Sequence, residues 1–99
     1  MILRKENYKI NKESLYLIAL KQWGLESQID MCIEEMSELI KELLKFKRGK
    51  DNLDHICEEI ADVEITVGQM KLIFDKDKIL VDKYTQEKLI RLEDRINKS

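Results

Sequence analysis

Between Ile29 and Phe46 apolar residues fall at Ile29, Cys32, Ile33, Met36, Leu39, Ile40, Leu43 and Phe46. Steps of three and four mark one face of an α-helix. The pattern returns from Leu53 through Ile56, Cys57, Ile60, Val63, Val67 and Met70 to Phe74. With no proline and three glycines in 99 residues, little stops these helices from running their full length.

The breaks are few. Asn11 is placed to cap a helix that starts near Lys12, runs through "ESLYLIALKQW" and ends at Gly24. A second helix is expected from near Glu26 or Ser27. Lys45, Lys47 and Arg48 suit its negative end, and Gly49 the position after it. Asp51 or Asn52 can cap the third helix. Gly68 inside it costs about 1 kcal/mol against alanine and permits a close helix contact. "FDKDK" is a polar break, and a fourth helix follows to about Asn97, with "VDKYTQ" as a possible interruption. The first ten residues read as an extended arm or a helical lead-in. Short gaps predict antiparallel neighbours. The fold class is all-α, a four-helix bundle in a single domain over residues 1–99.

Composition narrows the function classes. The chain is 43% hydrophobic and 38% charged, which excludes a disordered profile. A net charge of −2 lacks the basic footprint of a nucleic-acid binder. No signal peptide is visible and no apolar run approaches the ~20 residues of a membrane span, so the expectation is a cytoplasmic protein. Cys32 and Cys57 lack zinc-site spacing and read as buried free thiols.

Two similar stretches carry the chemistry: "CIEEMSELI" from Cys32 and "CEEIADVEI" from Cys57. At about 100° per residue, with Met36 at the middle of its apolar face, Glu35 lies about 100° to one side and Glu38 about 160° to that same side. With Ile60 at the middle of the third helix's face, Glu59 and Asp62 repeat those offsets. Antiparallel helices sharing a core would bring the two pairs together at a common margin. The alternative is a solvated acidic face, normally supported by Lys or Arg three or four residues away. Only Glu38 has such a partner, Lys41. Four unneutralised carboxylates repel one another, and a bound cation would relieve that. An all-oxygen set favours Mg²⁺ or Mn²⁺. A di-iron bundle would need two Glu-x-x-His motifs, and the single histidine, His55, has no Glu three residues before it. His55 reads as a helix-start or surface residue.

"EEMSE" (Glu34 to Glu38) followed after twenty residues by "EIAD" (Glu59 to Asp62) resembles the EExxE…ExxD signature of the all-α nucleoside triphosphate pyrophosphohydrolases. These include MazG-type enzymes, dimeric dUTPases, dCTP pyrophosphatases and phosphoribosyl-ATP pyrophosphohydrolase. "QWGLESQ" before the motif is similar to short, single-domain MazG-like proteins, and the likeness covers roughly Leu15 to Phe74. The resemblance implies a MazG-like bundle, dimeric or tetrameric. The implied reaction converts a nucleoside triphosphate to monophosphate and pyrophosphate with Mg²⁺, or Mn²⁺ in its place. It implies Glu35, Glu38, Glu59 and Asp62 as metal ligands, and Glu38 as general base. Glu34 is placed with the catalytic residues, as the motif's first Glu, whose role varies. Substrate-binding candidates are Trp23, for stacking on a base, Gln28, for a base edge, and Lys45, for phosphate oxygens. "KFKRGK" (Lys45 to Lys50) would steer an anionic nucleotide. Neither nucleic acid nor membrane is expected as a partner. The competing class is a non-catalytic helical regulatory or assembly module.

Overall fold

The computed structural model describes residues 10–99 and is all-α. Four helices run α1 (Lys12–Trp23), α2 (Leu25–Lys47), α3 (Leu53–Phe74) and α4 (Leu80–Lys98). Among the described residues there is no strand. The expected arm or lead-in at the N-terminus lies outside them, apart from Ile10. Among the described residues no helix is long and apolar enough to cross a membrane.

The helix ends follow local chemistry. The Asn11 side chain accepts from the Ser14 amide at 3.1 Å and opens α1. Gly24 closes it with φ 87°, a backbone angle that favours glycine, and α2 begins at the next residue. Asn52 stands at the N-cap position of α3, but its side chain caps nothing there. It donates instead to the Glu42 backbone oxygen and to Glu42 Oε1, both at 2.9 Å, tying the α2–α3 loop back onto α2. "FDKDK" is more than a break. The Asp75 carboxylate accepts from the amides of Ile79, Leu80 and Val81 at 3.3, 3.1 and 2.9 Å. Three donors at the start of α4 thus find a partner five residues before it. The helix then runs through "VDKYTQ" without interruption.

α2 and α3 form an antiparallel hairpin. Glu42 meets Asn52 at one end, Glu35 meets Glu59 and Asp62 midway, and Gln28 and Thr66 share a cleft at the other end. On α2 the most buried side chains are Gln28, Cys32 and Glu42, with Glu35 and Leu39 half-buried between them. On α3 Thr66 is buried, while Glu59, Val63, Met70 and Ile73 are half-buried. The hairpin therefore closes along residues 28, 32, 35, 39 and 42 against 59, 63, 66, 70 and 73. The centre of this line lies roughly 70–80° round each helix from the centre of the apolar stripe read as the core face, with Cys32, Leu39, Val63 and Met70 common to both. Both acidic pairs move from the margin towards the contact line. Cys57, expected to be buried, is exposed, because a position two residues before Glu59 faces nearly the opposite way.

α1 packs on the hairpin through a close approach. A Cβ added at Gly68 would lie 3.0 Å from Tyr16 Cε2 and 3.1 Å from its hydroxyl. This contact predicts opposite signs for one substitution. Gly68→Ala should destabilise the native chain by displacing the ring. In a Tyr16→Ala background it should stabilise by up to about 1 kcal/mol through helix propensity. A double-mutant cycle in urea checks this, and the same sign in both backgrounds would refute the contact.

α4 stands apart and buries none of its residues. Across the described residues the buried apolar side chains are Ala19 and Cys32 alone, whereas Gln28, Glu42, Asn52, Thr66 and Asp75 are all buried.

Candidate metal and substrate site

One oxygen from each of Glu35, Glu59 and Asp62 lies within 4.8 Å of the others. α2 supplies the first and α3 the other two, one helical turn apart, so the hairpin's register assembles the group. Glu35 and Glu59 are half-buried and Asp62 is exposed. Oε2 of Glu59 is buried with no hydrogen-bond donor. An orphaned carboxylate oxygen is costly, and a hydrated cation or a proton would satisfy it.

The electrostatics agree with that crowding. Burial pushes the Glu35 carboxyl above its ordinary 4.5, and close approach to Asp62, then Glu59 and Glu34, pushes it the same way. Glu59 is also raised, first by burial, then by the charges of Asp62, Glu38, Glu58 and Glu42. Each proton held by these groups stands where a metal's positive charge would be favoured. Oxygens bound to one Mg²⁺ at 2.0–2.1 Å lie at most about 4.2 Å apart, so small side-chain rotations would close the set. The donor set is all oxygen, and it fits Mg²⁺ or Mn²⁺.

Glu38, half-buried one turn after Glu35, lies outside this three-oxygen group, although its charge acts on Glu59. Glu34 is exposed, and its charge reaches Glu35. Lys45 is half-buried and pairs with Glu42 Oε2 at 3.2 Å. That Glu42 carboxyl is held below its ordinary value by the Asn52 hydrogen bond first, and also by Lys45. Lys45 is thus engaged away from the three-carboxylate cluster. His55 is exposed near α3's start, 3.9 Å from Glu58.

Comparison with family models, with curated proteins and with solved structures finds no match to this chain.

A cleft of about 470 Å³ adjoins the cluster, and Glu35 and Asp62 are part of its wall. Trp23, Met31 and Ile65 give it apolar surface; Ser27, Gln28, Thr66 and Gln69 give it polar groups. Trp23 is 60% exposed, which leaves its ring free to contact a ligand, whereas Gln28 is only 4% exposed with Oε1 buried and unpartnered. The cleft therefore joins two sequence candidates, Trp23 and Gln28, to two of the acids. Gln69 and Ser27 were not singled out in the sequence. They lie one turn beyond Ile65 and one turn after Trp23, and only the hairpin's register brings them together. Among the described residues the lining holds no lysine or arginine.

Proposed function

We propose that the chain is a Mg²⁺-dependent nucleoside triphosphate pyrophosphohydrolase, a MazG-like helical bundle that works as a homodimer or homotetramer. The observation that carries this reading is the three-carboxylate group with its orphaned Glu59 oxygen, two of whose members, Glu35 and Asp62, line a cleft with an exposed tryptophan. Glu35, Glu59 and Asp62 would hold Mg²⁺, with Glu38 one turn away as a further ligand. When bound, the ion supplies charge neutralisation at phosphate oxygens. Trp23 offers a flat apolar face to a nucleobase, and Gln28 would reach a base edge only by turning its buried amide towards the cleft. Glu38 would accept a proton from an attacking water, with Glu34 as an acidic neighbour on the exposed side. The reaction expected is hydrolysis between the α and β phosphates, in keeping with nucleotide-pool house-cleaning in the cytoplasm.

The second reading is a non-catalytic regulatory or assembly module, which the acidic group would suit equally if a metal only stabilised it. A pyrophosphate-release screen over canonical and modified ribo- and deoxyribonucleoside triphosphates with Mg²⁺ separates the two. Pyrophosphate and monophosphate from at least one nucleotide support the enzyme. Silence across the panel, with metal demonstrably bound, supports the module.

A further inference from the structure

We infer that Tyr16 is a positioning residue for the cleft: its ring, keyed into the space left by Gly68, fixes the rotation of α1 and so holds Trp23 at the cleft wall. What Trp23 meets there rests on the proposed function; the keying of the helix does not.

Gly68 sits inside α3, where glycine is less favourable than alanine. Its backbone does not require glycine, because positive φ among the glycines is confined to Gly24 and Gly49. Space requires it. Tyr16 Cε2, its hydroxyl oxygen and Cζ lie 3.0, 3.1 and 3.3 Å from where a Cβ would stand, closer than side chains ordinarily pack. A ring edge seated on bare backbone is a fit that rotating either helix would undo.

Helix geometry carries that fit to Trp23. Seven residues at about 100° each come within about 20° of two full turns, so Tyr16 and Trp23 leave α1 on the same side. Ala19 and Leu20 flank the line between them. Ala19 is buried and Tyr16 and Leu20 are half-buried, whereas Leu15, Leu17 and Ile18 are exposed. On α3, Ile65 lies one turn before Gly68 and about 60° round from it, and Gln69 is the next residue. Ile65 and Gln69 line the cleft together with Trp23. The Tyr16–Gly68 contact and the cleft are therefore neighbours along the same two helices.

Among the described residues, little else sets this rotation. Ala19 carries only a methyl group. The Glu13–Lys78 ion pair ties the start of α1 to the turn between α3 and α4, but both side chains are exposed, and such a pair contributes little. Gly24 alone joins α1 to α2, and glycine has the widest choice of backbone angles. Trp23 is 60% exposed, so its own packing does not hold it in place. The seat of Tyr16 on Gly68 is the contact that resists rotation, at the cost of a glycine within α3.

Trp23 is the single tryptophan, so its fluorescence reads its surroundings directly. Emission and acrylamide quenching of the full chain test the keying, alongside KM and kcat for nucleoside triphosphates with Mg²⁺. Tyr16→Ala and Gly68→Ala should each shift emission to the red and make quenching easier. Each should raise KM about tenfold with kcat largely kept, within the range that base–aromatic stacking contributes. Should Tyr16→Ala fail to fold, Gly68→Ala gives the same readouts from the other side of the contact. Tyr16→Phe keeps the ring and should restore native values. Asn11→Ala removes the α1 cap at 3.1 Å without touching the contact, so it should melt earlier with native Trp23 signals. The Tyr16→Ala, Gly68→Ala double variant regains helix propensity and should still show the altered signals, which separates positioning from stability. Native emission and quenching in a folded Tyr16→Ala or Gly68→Ala overturn the inference. So does an Asn11→Ala that moves them as far, or an active enzyme whose Trp23 signals move while KM does not. Signals that move as expected in a chain that cleaves no nucleotide remove the catalytic reading alone. Native cleavage with unmoved signals removes the positioning alone.

Discussion

Under the proposed pyrophosphohydrolase reading, Asp62→Asn and Glu38→Gln should each lower nucleoside triphosphate turnover by about 10²-fold or more while leaving the helical fold intact. Both substitutions keep the side chain's volume and remove its charge and basicity. Their positions predict different signatures. Asp62 contributes an oxygen to the three-carboxylate group, so its loss should weaken metal affinity along with turnover. Glu38 lies outside that group, and as base and outlying ligand its loss should lower kcat with a smaller fall in metal affinity than Asp62→Asn causes. Trp23→Ala should raise KM more than it lowers kcat, because stacking on a base contributes equally to ground state and transition state. Steady-state kinetics with separate detection of pyrophosphate and orthophosphate reads all three. Orthophosphate as first product would mean that a different bond is cut. Full activity in Asp62→Asn would remove the site.

Metal and pH should act on stability through the same carboxylates, with opposite signs. Mg²⁺ or Mn²⁺ at a hundred times its dissociation constant should add about 2.7 kcal/mol to the native chain, and far less to a Glu35→Gln, Asp62→Asn double variant. Without metal, the raised carboxyls of Glu35 and Glu59 bind protons more tightly folded than unfolded. Their contribution is fully present below the ordinary 4.5 and is lost as pH rises through the higher folded values. Metal binding needs the deprotonated oxygens, so the metal's contribution should grow over that same window. Glu42 and Asp75 run the other way. Asn52 first, then Lys45, hold Glu42 below 4.5; the Val81 amide first, then Leu80 and Ile79, hold Asp75 below 3.8. Their contribution is present above those ordinary values and is lost as pH falls through the lower folded ones. Thermal melts from pH 3 to 8, with and without Mg²⁺, should therefore show metal-free stability declining above about 4.5 and the metal increment rising there. A metal increment equal in the native chain and the double variant would refute the assignment.

The two acidic motifs were legible because each is a local pattern, and a shared spacing on two helices implies a shared angular offset. Partners contributed by distant elements were not. Nothing local in "KRGKDN" says that Asn52 turns back to Glu42 instead of capping α3, or that Lys45 follows Glu42 and not a phosphate. Asp75 looked like a loop residue because its three donors come from the helix after it, across a turn whose shape the sequence does not spell out.

By itself the sequence determined four helices and several of their ends, though not the start of α4. Caps, glycines and steps of three and four act within one or two turns, and they decide helix formation before any packing. Only the tertiary structure decided which side of each helix faces its neighbour. Turning α2 by roughly 70–80° about its own axis leaves every one of its own hydrogen bonds unchanged, so local chemistry is indifferent to it. The choice is made by contacts between helices. It places Gln28, Cys32, Glu35 and Glu42 inside, brings Glu35 to Glu59 and Asp62, and leaves Ile33, Met36, Ile40 and Leu43 facing out.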